Sequence, residues 1–254
     1  MQSLSRIVGL CALLCLAWAA PLAAGENEGI ATVVRIVPKP GHEETLVRSI
    51  TDYHHWMAHF EGHMEYTWYE VLTGPDTGAY IARSGNHNWA DFDAEYDWQK
   101  EADEVFARNV APNIDHAQRM MTSNLDDVSH WPESFDGYTH YQLEQWQVNN
   151  GQYGKFMRGL KKIVDALKAN GSKDHWGFIS VVSGGNSNQI ELITPLKGWA
   201  GMSEEEPTFL DIMTRVLGGA DAMDAFMMDW GSTFQIGQKF TIRYLPEASD
   251  YGSQ

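Results

Sequence analysis

The chain of 254 residues carries 34 Asp and Glu against 18 Lys and Arg, a formal net charge of −16, with 43% hydrophobic and 12% aromatic residues. That length and apolar content suffice for one large core or two small ones, which excludes the disordered and fibrous classes. So acidic a surface repels phosphate backbones and anionic lipid headgroups, which argues against nucleic-acid or membrane-surface binding as the main task.

The N-terminal stretch MQSLSRIVGLCALLCLAWAAPLAAG sets Arg6 ahead of an apolar run from Ile7 to Ala20, followed by small residues. This is the pattern of a secretory signal peptide over residues 1–24, with cleavage expected after Ala24, or second after Ala19; an uncleaved anchor is the alternative. The run is short for a membrane span and Pro21 bounds it. A periplasmic or secreted protein is expected, without stable membrane insertion after cleavage. Cys11 and Cys15 both lie in this leader. The mature chain is therefore expected to lack disulfides and thiolate metal ligands, so that packing alone stabilises it.

From Ala31 to Val37 the β-branched run ATVVRIV predicts a strand, closed by Pro38 and Pro40. A helix follows from Gly41 to Gly62, with Leu46, Ile50, Tyr53, Met57 and Phe60 on one face and Glu43 and Glu44 in its first turn. Tyr66 to Trp89 reads as a hairpin turning at Gly74–Gly78, Ala90 to about Val110 as a second helix ended by Pro112, and Ile114 to Thr122 as a fourth strand. The order β-α-β-β-α-β is the ferredoxin-like unit.

Residues 123–137 read as a polar linker, after which the pattern starts again. Tyr138 to Trp146 is a strand, and Phe156, Leu160, Ile163 and Leu167 stand 110 residues after Leu46, Ile50, Tyr53 and Met57. The hairpin returns between Trp176 and Trp199. Gln118-Arg119-Met120 finds its counterpart at Gln238-Lys239-Phe240, so about ten residues are added near Gly201 to Asp211, where Ser203 and Glu206 have capping-box spacing. The predicted layout is a first repeat over 25–122, the linker, a second repeat over 138–246 and a tail over 247–254. Each unit leaves one sheet face bare, and the two bare faces are expected to shield each other. The fold class is α+β, two ferredoxin-like repeats forming a fused barrel.

Element order, the duplication and the hairpin-then-Trp texture over residues 31–245 resemble the dimeric α/β-barrel superfamily, which includes antibiotic-biosynthesis monooxygenases and NIPSNAP-type proteins, here with both halves in one chain. The resemblance implies a small apolar or aromatic ligand and cofactor-free monooxygenase, isomerase or cyclase chemistry. The alternatives are a non-catalytic binding or interaction protein, and a haem- or metal-binding barrel. No cofactor is expected from the residues themselves, no histidine matches a haem-ligand motif, and oligomerisation is not required.

Three polar residues of the first copy replace residues less suited to chemistry in the second. His54, Glu70 and His116 stand where Val164, Ser180 and Ile236 stand later, and are the candidate catalytic residues. Strand alternation sets Tyr66 and Trp68 on the side of Glu70, and Trp176 and Phe178 at the matching places, so these four are the candidate ligand-binding residues. Among these aromatics, Glu70 is expected to have its pKa raised. His55 and His59, spaced i, i+4, could reach one metal ion, but they lie opposite the apolar stripe, where a solvated face is the plainer reading. The loop from Asn86 to Trp89 is expected to shape the entry to the second helix.

Overall fold

The computed structural model describes residues 29–203 and 206–249; the expected leader and the last residues of the tail lie outside the described residues. The first half runs β1 (Ile30–Pro38), α1 (Glu43–Met57), β2 (Thr67–Val71), β3 (Tyr80–His87), α2 (Gln99–Asn109) and β4 (Ile114–Asn124). The second runs β5 (His140–Val148), α3 (Tyr153–Ala169), β6 (Gly177–Ser183), β7 (Gln189–Leu196), α4 (Phe209–Leu217), α5 (Ala220–Gly231) and β8 (Phe234–Tyr244).

The eight strands close into an antiparallel barrel in the order β1-β3-β2-β8-β5-β7-β6-β4. Each half supplies four adjacent strands, in the order β4-β1-β3-β2 or β8-β5-β7-β6. The halves join edge to edge, β2 to β8 through Tyr69↔Tyr244, Glu70↔Arg243 and Val71↔Ile242. At the other seam β4 meets β6 from Met121↔Ser183 to Asn124↔Ile179. The expected shielding of bare faces is thus achieved by closing one ring rather than by stacking two open sheets. Closure pairs the edges that each sheet would otherwise expose.

Inside the ring, Val33, Val71, Ile81, Leu143, Phe240 and Ile242 form one core. Outside it, α1 lays Leu46 and Ile50 over Ile36, Trp68, Tyr80 and Ala82. In the second half α3 presses Phe156, Leu160, Ile163, Val164 and Leu167 against Trp146, Trp176, Phe178 and Ile190, with Ile212, Met213 and Trp230 closing the layer. Each such side chain contributes roughly 1.5–3 kcal/mol on burial, so this face anchors its half of the molecule.

Two elements depart from the sequence reading. The second helix, expected from Ala90, begins only at Gln99. Asn88 and Asp91 instead cap a short 3-10 turn over Trp89–Asp93, and Ala94 leaves it in an extended conformation. In the second half α4 is capped by Thr208 and Asp211 in a reciprocal box, rather than by the expected Ser203 and Glu206. Gly218, at φ +90, then turns the chain into α5.

A cleft outside the barrel

Seven side chains were candidates from the sequence, and the structure distributes them. His54 is buried on α1, with its ring 5.9 Å from Tyr66 and 5.7 Å from Trp68. These three do come together, in the layer between α1 and the sheet. Trp176 and Phe178 are buried in the corresponding layer of the second half. All of these rings except Tyr66 are buried, and they fill their layers as packing. Glu70 is not enclosed by aromatics: Arg243 on the neighbouring strand donates to its Oε2 at 2.5 Å across the β2–β8 seam. His116, a candidate catalytic residue, is no part of an enclosed site: its side chain is 66% exposed and pairs with Asp115 at 2.8 Å. Its counterpart Ile236 is 63% exposed as well, so the contrast of His with Ile marks surface at both places. The reason is shared geometry, since β4 and β8 both run past their seam partners at this end and present residues 115–119 and 235–239 to solvent. His55 and His59 are exposed.

A different set of residues lines an open cleft of about 310 Å³ on the outer face of the barrel, where β4 meets β6: Phe92, Arg119, Met121 and Ser183. From Arg119 a row of polar side chains runs back across three strands. Arg119 Nε donates to Thr32 Oγ1 at 2.9 Å. Thr32 is the register partner of Ser84 on β3. Ser84 Oγ lies 2.8 Å from His87 Nε2. Asp91 Oδ2 stands 3.6 Å from His87 Nδ1, too far for a hydrogen bond but close enough to favour the tautomer protonated there. Phe92, in the same turn as Asp91, sets its ring 5.2 Å from His87.

The cause of this assembly is local. Asn86 at φ +64 bends the end of β3, and the Asn88–Asp91 box fixes the turn that follows. The loop expected only to shape a helix entry therefore delivers a histidine, a carboxylate and an aromatic ring. Burial holds the His87 pKa below its ordinary value and Arg83 pushes the same way, outweighing Asp91, so the imidazole is neutral at pH 7 and can accept a proton.

The two seams differ in charge. Arg119 pairs in register with Val34, and no carboxylate among the described residues lies within ion-pair distance of it. At the topologically equivalent place on β8, Lys239 faces Glu144 and binds it at 3.2 Å. The cation is thus neutralised beside one seam and left to solvent or a ligand at the other.

A haem, the cofactor of the alternative reading, would have to enter the space between helices and sheet. In the second half Trp146, Phe156 and Trp230 occupy that layer, with Phe156 and Trp230 stacked at 5.6 Å. In the first half His54 has aromatic rings within 6.1 Å on three sides. Neither layer fits a macrocycle edge-on beside a histidine. Among the described residues no three His, Cys, Asp or Glu side chains converge as around a metal ion.

No protein-family model and no curated protein matches the chain. Among solved structures, chlorite dismutase from Candidatus Nitrospira defluvii in complex with imidazole superposes with a TM-score of 0.52 at 8% identity, over 88% of this chain and 93% of that one. An anthrone oxidase-like protein gives 0.51 at 12% identity, over 88% and 94%. A candidate monooxygenase from Lactobacillus acidophilus NCFM gives 0.51 at 8% identity, over 86% and 93%. At such identities the likeness is one of fold alone.

Proposed function

We propose that this protein, exported and built from two copies of one ferredoxin-like unit, binds a small aromatic molecule bearing a negative charge in the cleft of Phe92, Arg119, Met121 and Ser183. Arg119 carries the reading. It is a guanidinium beside an aromatic ring, without a carboxylate partner among the described residues, in a chain where acidic residues outnumber basic ones 34 to 18. Phe92 offers a ring face, Met121 an adaptable apolar wall and Arg119 a forked donor for a carboxylate or phenolate. The neutral His87 behind Phe92 supplies a proton acceptor, which suits removal of a proton from a phenol or an activated carbon, the step that opens cofactor-free oxygenation, isomerisation or cyclisation. The monooxygenase and anthrone oxidase-like names of the structural neighbours are compatible with such substrates.

The test is a fluorescence titration with 1-anilinonaphthalene-8-sulfonate, an anionic aromatic probe, on the whole chain. Arg119→Ala and Phe92→Ala should each weaken binding about tenfold, the scale of one charge-assisted contact or one aromatic pair. Lys239→Ala, at the neutralised counterpart, should leave it unchanged. Equal loss in Lys239→Ala and Arg119→Ala would defeat the assignment to this cleft.

A further inference from the structure

We propose that the barrel interior itself forms a second binding site, for a small aromatic carboxylate held by Arg83, at the end where β1 and β5 begin. Directly opposed residues of an antiparallel pair share a face. Arg83 opposes Val33, a member of the interior core, so its side chain enters the barrel. The guanidinium lies over Gly85, where an added Cβ would collide with Nη1 and meet Cζ at 2.8 Å, so the missing side chain of Gly85 is what makes room for it.

The same interior contains a second arginine, and the two are treated differently. Arg35, toward the other end, is neutralised by Asp76 at 2.6 Å and lies 5.4 Å from the centre of the Phe240 ring. Arg83 has no carboxylate within ion-pair distance among the described residues. An arginine carried into the barrel of an acidic protein and left without a carboxylate is placed for an anion from outside.

Three tyrosines cluster at this end. Tyr69 sets its ring 5.4 Å from Tyr141, edge to face, and 6.1 Å from Tyr244. Tyr69 is the diagonal neighbour of Arg83 across β2 and β3, since Thr67 faces Arg83 and Tyr69 faces Ile81. Tyr69 packs against the interior core and is only partly buried, so part of its surface stays accessible. The hydroxyls of Tyr69, Tyr141 and Tyr244 make no hydrogen bond to other described residues, so three phenolic donors remain for a ligand.

The segment joining the halves roofs this end. Trp131 lies over Gly177 in the space a Cβ would take, and Phe135, 37% exposed, sits 6.4 Å from Tyr141. A carboxylate on Arg83 would have its ring against Tyr69 and Tyr141, beneath Phe135. The guanidinium fork fits two carboxylate oxygens and the tyrosine edges fit an aromatic face.

The probe is benzoate, titrated calorimetrically into the whole chain, with cyclohexanecarboxylate and sulfate as competitors. Wild type should bind benzoate, Arg83→Gln should weaken it at least tenfold, and Arg83→Lys, which keeps the charge without the fork, should weaken it severalfold. Gly85→Ala should weaken it too by displacing the guanidinium. The Arg83 substitutions are repeated in an Arg119→Ala background, where any benzoate held by the outer cleft is lost and Arg83-dependent binding should remain, which separates this site from the outer cleft. Circular dichroism and the unfolding midpoint of each variant establish that it folds. No benzoate binding by wild type, binding indifferent to Arg83→Lys and Arg83→Gln, or binding lost only in Arg119→Ala would overturn the proposal. Sulfate competing as well as benzoate would show an anion site without aromatic selectivity, and would overturn it as stated.

Discussion

Truncating Trp230 tests how solid the layer is between the second-half helices and the sheet. Trp230 on α5 is 6% exposed, stacks on Phe156 at 5.6 Å, meets Trp146 at 5.8 Å and Phe234 at 4.8 Å, and donates its indole N–H to the Phe156 carbonyl at 2.9 Å. It also rests on Gly159 of α3, where an added Cβ would collide with the indole. Replacing a buried Trp by Ala costs about 3–5 kcal/mol when the surroundings cannot collapse into the space. The lost hydrogen bond adds about 1 kcal/mol. Trp230→Ala should therefore lose about 4–6 kcal/mol of a total that for a protein domain is about 5–15 kcal/mol. Trp230→Phe keeps a stacked ring and should lose about 1–3 kcal/mol, from the bond and the smaller ring. Urea unfolding followed by circular dichroism measures both, provided the slope stays constant so that the midpoint shift reports stability. A cost below about 1 kcal/mol for Trp230→Ala would refute the reasoning. It would mean that the layer is slack or adaptable, and the argument that it leaves no room for a haem plane would fall with it.

Further outcomes follow from other places in the fold. Glu191, in the barrel wall, has its pKa raised by burial, against the opposing effect of the Gln189 and Gln145 amides at 2.8 and 3.0 Å. A raised carboxyl pKa means stability present below the unfolded value and lost as pH rises through the folded one, so Glu191→Gln should gain on wild type between acidic and neutral pH in thermal melts; a difference constant with pH would contradict this. Gly177→Ala places a methyl where Trp131 lies and should cost about 1–3 kcal/mol by thermal unfolding, with a changed near-ultraviolet spectrum; a silent substitution would show that Trp131 is not seated there. Glu70→Ala removes a partly exposed partner of Arg243 and should change stability by no more than about 1 kcal/mol in urea, and leave probe binding in the outer cleft unchanged. Loss of that binding would return Glu70 to the site. His87→Ala should preserve binding of the naphthalene probe within about twofold while abolishing any proton-transfer activity found with a substrate, since His87 lies behind Phe92; retained activity would remove it from the mechanism.

The sequence by itself determined the order of elements and most of their faces. Periods of two and of 3.6 depend on neighbours close in the chain, so the strand before Pro38, the stripe from Leu46 to Met57 and its match from Phe156 to Leu167 could be read directly. The sequence reading placed about ten added residues near Gly201 to Asp211, and α4 begins there, at Phe209. Only the tertiary structure decided how the halves meet and which side chains that meeting exposes. His116 and Ile236 lie on strands that outrun their seam partners, so their exposure depends on the ring and not on the local pattern. Glu70 looked like a carboxylate among aromatics until Arg243, 173 residues away, was brought beside it. Arg119 comes from β4 and Ser84 and His87 from β3, and their alignment follows from register across β4, β1 and β3. Asn86-His87-Asn88 with Asp91 was the available signal, a turn-forming and capping pattern around a histidine. Chain-local patterns fix what each segment is, while pairing between distant segments fixes which charges find partners and which are left for a ligand.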